Sequence, residues 1–407
     1  MSTIEPPMTA QTDKTAATRT TTALGDRTTG LRDPRLDFFR GIAMFIILIA
    51  HVPGNAWTLW IPARFGFSDA TEIFVFCSGM ASAIAFGKVF RDQSWRMGTA
   101  RVAYRCWQVY WAHIGLFLAV ATAMVALNAI GTLERDYVGQ LNLYPFFKDP
   151  QTNLLGLMTL SYVPNYFDIL PMYLVILAMM PVFVALAGVH RALAAAGVLI
   201  LWGLAQADLL AFPAEPWSER EWFFNPFGWQ LIFFTGFAFM SGLLPAPPVD
   251  RRLVILAAAL VLVILPFAYF RVIGAVPFIR EWRSDYALLI AKTDFGVLRY
   301  VHFLALAYLA WVAAGARGTR LLPGEGAGLA PEVWRRVLAV IMKVGQQSLA
   351  VFIASMFLAR LMGAALDLFE RNPLTTLLVN ATGMALLVAT AYGAGWFKSQ
   401  PWRRARR

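Results

Sequence analysis

At 407 residues the chain is long enough for two or three soluble domains, yet 58% of it is hydrophobic, only 14% is charged, and the mean hydropathy is +0.58. Soluble domains are nearer half apolar and a quarter charged, so this composition excludes a soluble, disordered, collagenous or disulfide-built protein and points to an integral membrane protein. The net charge of +11 and pI of about 9.9 leave nucleic acid or a membrane surface open as the basic partner.

In chain order, residues 1–31 are Thr-rich with no sustained apolar run and read as a disordered cytoplasmic tail. They hold no signal-peptide apolar region, so the first span is expected to act as an uncleaved anchor. A bilayer-crossing helix needs roughly 20 mostly apolar residues. Ten windows qualify: 38–59, 69–88, 104–127, 168–188, 192–211, 228–244, 252–270, 298–315, 346–366 and 374–396. The expected fold is all-α, a ten-helix membrane domain over 32–398, N-in and C-in, followed by a basic cytoplasmic tail over 399–407. Apolar–polar alternation is absent, which argues against a barrel. The polar-studded window 69–88 and the segment before 346 fit the pattern least well. Pro171 and Pro181 predict kinks in the fourth span. The long outer loops 128–167 and 212–227 are aromatic, with Trp217, Trp222, Phe223 and Phe224 in the second. Those rings read first as interfacial anchors, with a platform for sugars as the alternative. Cys77 and Cys106 fall inside spans, match no zinc spacing and read as free thiols; no metal site is expected.

With the N-terminus inside, 24 Lys/Arg and 9 Asp/Glu fall on the cytoplasmic side, against 11 and 15 outside. That is the positive-inside pattern. Topology therefore accounts for most of the basic excess, and nucleic-acid binding loses its support.

Ionisable groups inside spans are costly and mark function by default. In the first span Arg40 and His51 lie eleven residues apart, which is within about 20° of whole turns and roughly 16 Å along the axis. One helix face thus links the cytoplasmic margin to an imidazole in the outer half. Imidazole is the usual general base for a hydroxyl, and arginine suits phosphate or a polarised carbonyl. Spacing alone is met as well by a snorkelling Arg40 and a satisfied buried His51. In the second span Glu72 reaches a depth similar to His51 and is a candidate to orient it, as is Asp168; an interfacial acid or a helix cap explains either equally. Arg101 and Arg105 form an i,i+4 pair at the cytoplasmic mouth that could hold phosphates of a donor or simply anchor the span. The stretches Pro164–Tyr173, Asn225–Gln230 and Lys292–His302 place Asn165, Tyr166, Tyr173, Trp229, Gln230, Arg299 and His302 near outer span ends, as an acceptor or acyl pocket or as helix-end structure. His113 and His190 read as structural.

Arg35-Leu-Asp-Phe-Phe-Arg40-Gly-Ile-Ala43 with His51 resembles the opening of the membrane-bound acyltransferase-three superfamily. Glu72-Ile-Phe-Val-Phe-Cys-Ser78-Gly79 and Gly345-Gln-Gln-Ser348-Leu-Ala-Val-Phe352 resemble its second-span and late-span segments, with Phe352 in place of the usual tyrosine and no histidine soon after. The three outer stretches resemble its OpgC branch, and the resemblance runs from about Arg32 to Lys398. It implies a bacterial inner-membrane O-acyltransferase that moves an acyl group, succinyl in that branch, from cytoplasmic acyl-CoA to a periplasmic glucan. No tightly bound cofactor is implied. The partners would be the bilayer, coenzyme A and the glucan. A succinyl group needs a cation for its free carboxylate, and Arg299 is the sequence's candidate. His51 would be the catalytic base, and Arg40, Arg101 and Arg105 would bind the donor. The competing reading is a proton-coupled transporter or glycan exporter, which ten spans and an intramembrane Arg–His pair would also suit.

Overall fold

The computed structural model describes residues 33–131, 133–324 and 328–406; the expected tail over 1–31 lies outside them. The main helices are α1 (Pro34–His51), α2 (Ala70–Asp92), α3 (Trp95–Asn128), α4 (Ile169–Val189), α5 (Arg191–Gln206), α6 (Pro226–Ser241), α7 (Arg251–Ala268), α8 (Val297–Ala314), α9 (Leu329–Gln346), α10 (Ser348–Leu368) and α11 (Pro373–Ser399). Their starts are written in the sequence. Asp33, Asp69, Ser94, Asn225, Asp250 and Asn372 each accept a hydrogen bond from a first-turn amide, and Pro34, Pro226 and Pro373 open the helices that follow their caps. Asp69 and Glu72 form a full capping box on α2.

Among the described residues, seven segments are long and apolar enough to cross a membrane, in α2, α3, α4, α7, α8, α10 and α11. Three of the ten expected spans fall short for separate reasons. The helix of the first window ends at His51, not 59, and carries Arg35, Asp37 and Arg40. α5 and α6 have 16 residues each, about 24 Å of helix against a hydrocarbon core of about 30 Å. The second span proves to be a continuous helical run with a π-helical turn at Ala83–Gly87. Pro171 does not kink α4: it sits in the first turn, where its missing N–H has no intrahelical partner to lose. Pro181 is inside the helix as expected. The segment before 346 is a separate amphipathic helix. α9 buries Leu338, Ile341 and Val344 and keeps Glu332, Arg335 and Arg336 on its other face, where the two arginines pair with the glutamate.

The helices meet in an ordered way. α2, α6 and α8 all begin around the 292–296 segment. Trp229 Nε1 donates to the Lys292 carbonyl and Asn225 Nδ2 to Asp294. α5 arrives there with its last turn, Gln206 donating to the Asp294 carbonyl and Trp202 to that of Phe295. At the opposite end, Arg35 at the start of α1 reaches the Gly315 carbonyl just past α8. Trp229, Phe233, Phe117 and Phe352 are fully buried between helices, whereas Ile255, Leu256, Leu262 and Val263 of α7 and Leu377 and Leu378 of α11 face outward. Apolar side chains on the outward faces as well as between the helices suit a bundle whose solvent is lipid.

Two glycines of the sequence motifs are explained by close helix approach. A Cβ on Gly79 would overlap the carbonyl of Phe233 where α2 crosses α6, and one on Gly345 would overlap the carbonyl of Asp37 where α9 crosses α1. Small residues at such crossings let backbones touch. Gly345→Val should therefore destabilise the protein by about 1–3 kcal/mol or more through overpacking. A thermal melt in detergent should show a clear fall in Tm, and an unchanged melt would mean that α9 can slide off α1 at no cost.

Candidate active site

α1 is unbroken from Pro34 to His51, so Arg40 and His51 do share one helix, and α10 lies against it at both positions. Arg40 Nη2 donates a short hydrogen bond to Ser348 Oγ, at the first position of α10. The Nε of Arg40 is buried without a hydrogen-bond partner. Twelve residues further along α10, Arg360 lies 3.9 Å from the centre of the Tyr166 ring. His51 stands against that same ring, edge to face at 5.6 Å. Tyr166 is held at a φ of 89°, a conformation that costs of order 1–3 kcal/mol in a non-glycine residue, and its hydroxyl donates to the Met356 carbonyl of α10 at 2.5 Å. Strain held this way is the mark of a residue whose position matters.

His51 Nδ1 lies 2.8 Å from the Ile47 carbonyl one turn back. A carbonyl can only accept, so Nδ1 carries the proton, and in the neutral ring Nε2 is then the basic nitrogen. His51 lines a cavity of about 450 Å³ together with Pro53, Thr58, Ile61, Arg64 and Arg360. An imidazole with a fixed tautomer and a free basic nitrogen beside a cavity can take a proton from a hydroxyl or attack an acyl carbon.

The residues expected to orient His51 do something else. Glu72 is fully buried and accepts two hydrogen bonds from Arg299, from Nε at 2.8 Å and Nη2 at 2.6 Å. Its other oxygen accepts from the Asp69 amide. Asp69 in turn pairs with Lys292 at 2.5 Å and lies 3.6 Å from Arg299. Asp168 accepts from the Phe223 amide at 3.0 Å. Neither acid reaches His51: the Ile47 carbonyl sets the tautomer. Arg299, expected to hold an acyl carboxylate, already has two carboxylates around it. His302 Nδ1 accepts from the Ser68 amide at 3.2 Å and lies 2.8 Å from the Ser68 hydroxyl, leaving Nε2 buried and unpartnered. These contacts pin the Ser68–Asp69 end of the 52–69 connection, which brings Thr58, Ile61 and Arg64 to the cavity.

Of the expected outer pocket, only Tyr166 stands beside His51. Trp229 and Gln230 are fully buried and tied to backbone carbonyls, Gln230 to those of Val198 and Phe227. Neither lines the His51 cavity. Asn165 accepts from Arg220 at 3.3 Å, and Tyr173 packs edge-on against Phe233. Arg101 and Arg105 lie in the first turns of α3, whose 34 residues run about 51 Å and overhang a bilayer core. Arg101 is exposed and Arg105 half-buried, donating to Gln108. His190 caps α5 by accepting from the Ala192 amide. His113 is buried with both ring nitrogens unpartnered, and nothing in the structure explains it. Both cysteines are free. Sequence reasoning missed Arg360 and Ser348 as partners of the α1 face. An arginine inside the apolar run of α10 was signal enough for the first.

Several apolar membrane-length helices around a half-buried histidine and its cavity define a polytopic membrane protein with polar groups inside the bundle. The family is specific: a model of the OpgC protein family matches residues 32–399, and the chain belongs to it. Membership points to a glucan-modifying acyltransferase of the OpgC type. No curated protein and no solved structure matches the chain.

Proposed function

We propose that the protein transfers an acyl group, succinyl by preference, from cytoplasmic acyl-CoA to hydroxyls of a periplasmic glucan across the bacterial inner membrane. The observation that carries this reading is His51 Nε2, a basic nitrogen with a fixed tautomer at a cavity on the same helix as Arg40. In this reading ten helices cross the membrane with both termini inside. α1, α5 and α6 then count as spans; the charge of α1 and the shortness of α6 are acceptable in helices largely buried among others, and α5, short but apolar, faces outward over most of its length. The membrane domain runs over 32–398 between cytoplasmic tails at 1–31 and 399–407. The alternation of helix ends described above supports that arrangement.

The donor docks at the basic mouth, its phosphates on Arg101 and Arg105, and its arm follows α1 past Arg40 for roughly 16 Å. A glucan hydroxyl enters from the far side. His51 Nε2 takes the hydroxyl proton as the oxygen attacks the thioester carbon. The tetrahedral intermediate collapses by breaking the C–S bond, and the imidazolium returns the proton to the departing coenzyme A sulfur. No tightly bound cofactor and no metal enters this chemistry.

Purified protein in nanodiscs should release coenzyme A from acyl-CoA only when glucan is present. Transport of unmodified glucan into vesicles lacking acyl-CoA, with no coenzyme A release, would make it a carrier instead. The pair Arg101→Ala with Arg105→Ala should raise the KM for acyl-CoA by about tenfold, as expected for losing two charge-assisted contacts on an exposed surface, with a smaller change in kcat. An unchanged KM would return both arginines to topology alone.

A further inference from the structure

The His51 cavity has a charge pattern that the transfer reaction alone does not require. Two guanidinium groups line it, Arg64 and Arg360, and no carboxylate does. Among the described residues neither arginine forms an ion pair, whereas Lys292, Arg299 and Arg371 each sit on an acid. Arg64 donates Nε to the Thr58 carbonyl at 3.2 Å. Arg360 is half-buried inside an apolar helix, with its Nε buried and unpartnered and its guanidinium against the Tyr166 ring. A cation in that setting without a counter-ion is costly. Contact with Tyr166 offsets part of the cost, and a guanidinium that lines a cavity suits bidentate recognition of an anion.

We propose that Arg360, assisted by Arg64, binds the free carboxylate of a dicarboxylic acyl group and so sets the enzyme's preference for succinyl over uncharged acyl groups. This rests on the acyltransferase reading above and replaces Arg299 in that role. The geometry favours an anion carried by the acyl group itself. His51 and Arg360 both touch Tyr166, so the cation stands within one aromatic ring of the base. The two carbonyl carbons of a four-carbon diacid are about 4 Å apart, from three C–C bonds of about 1.5 Å. A succinyl group can therefore present its thioester to His51 and its carboxylate to Arg360 at once. The phosphates of coenzyme A, held at the basic mouth a whole arm's length away, cannot.

The test compares succinyl-CoA with butyryl-CoA, whose acyl chain is equally long and lacks the carboxylate. Full-length protein in nanodiscs, with periplasmic glucan as acceptor, should favour succinyl by roughly 10- to 100-fold in kcat/KM, the range of a charge-assisted hydrogen bond made or lost. Arg360→Met should collapse that ratio toward one, and Arg360→Lys should keep part of it. Equal transfer of both groups by the wild-type protein overturns the inference and leaves the acyltransferase intact. So does an Arg360→Met protein that slows both donors alike, or one that keeps the ratio and raises only the KM for glucan, which would place the anion on the acceptor. Should Arg360→Met fail to fold, Arg360→Lys decides by the same ratio, and a ratio equal to that of the wild type overturns the inference. A folded wild-type protein that transfers neither group overturns the proposed function itself.

Discussion

His51→Ala should lower acyl transfer to the glucan by about 10²- to 10⁴-fold, the usual contribution of a positioned general base, with folding and membrane insertion unchanged. The reason lies in the ring's surroundings. Nδ1 is committed to the Ile47 carbonyl, so the one basic atom the ring offers is Nε2, and no described acid stands by to replace it. His51→Gln keeps a polar side chain of similar reach and should be equally slow, because an amide takes no proton. Rates come from mass spectrometry of the glucan product, and the melt of each variant checks the fold. Transfer near the wild-type rate in either variant would remove His51 from the chemistry. The same variants separate two routes. If Nε2 itself attacks the thioester, labelled acyl-CoA without glucan leaves the label on His51. Direct transfer leaves none.

The part of this site that could be read in the sequence is the part confined to one element. Arg40 and His51 share a helix, so an eleven-residue spacing was enough to put them on one face. Hydropathy located the long helices for the same reason. It overcounted where a window average concealed a local fact: the three charges in the first turns of α1, or a helix of 16 residues flanked by apolar loop. What the sequence could not supply was partners. Glu72 sits at a depth that seemed to suit His51, but its partner, Arg299, is 227 residues away in the chain, and only the packing of α2 beside α8 joins them. Arg299 looked like a free cation for the same reason. Tyr166 lies in a connection, and nothing local foretells a φ of 89° or a ring shared by a histidine of α1 and an arginine of α10. Local rules read caps and faces well; long-range charge pairing is settled by which helices touch.

That pairing carries the second large expectation. Glu72→Gln should destabilise the protein by about 3–5 kcal/mol, the cost of breaking a buried pair and leaving one charge behind, because Arg299 would keep its charge inside the bundle with only Asp69, 3.6 Å away and already bound to Lys292. Arg299→Gln should cost a similar amount by stranding Glu72. The double variant should recover at least half of either loss, since neither charge is then left alone. Thermal and denaturant melts in detergent measure all three. The cluster also governs activity at a distance. Asp69 and Ser68 end the connection that carries Thr58, Ile61 and Arg64 across the His51 cavity, and they are held by Lys292 and His302. Loosening that end should raise KM more than it lowers kcat, because the cavity wall shifts while the base keeps its own bond to Ile47. If Glu72→Gln instead melted like the wild type and lost kcat outright, Glu72 would belong to the reacting groups, and the pair with Arg299 would be a resting state that substrate breaks.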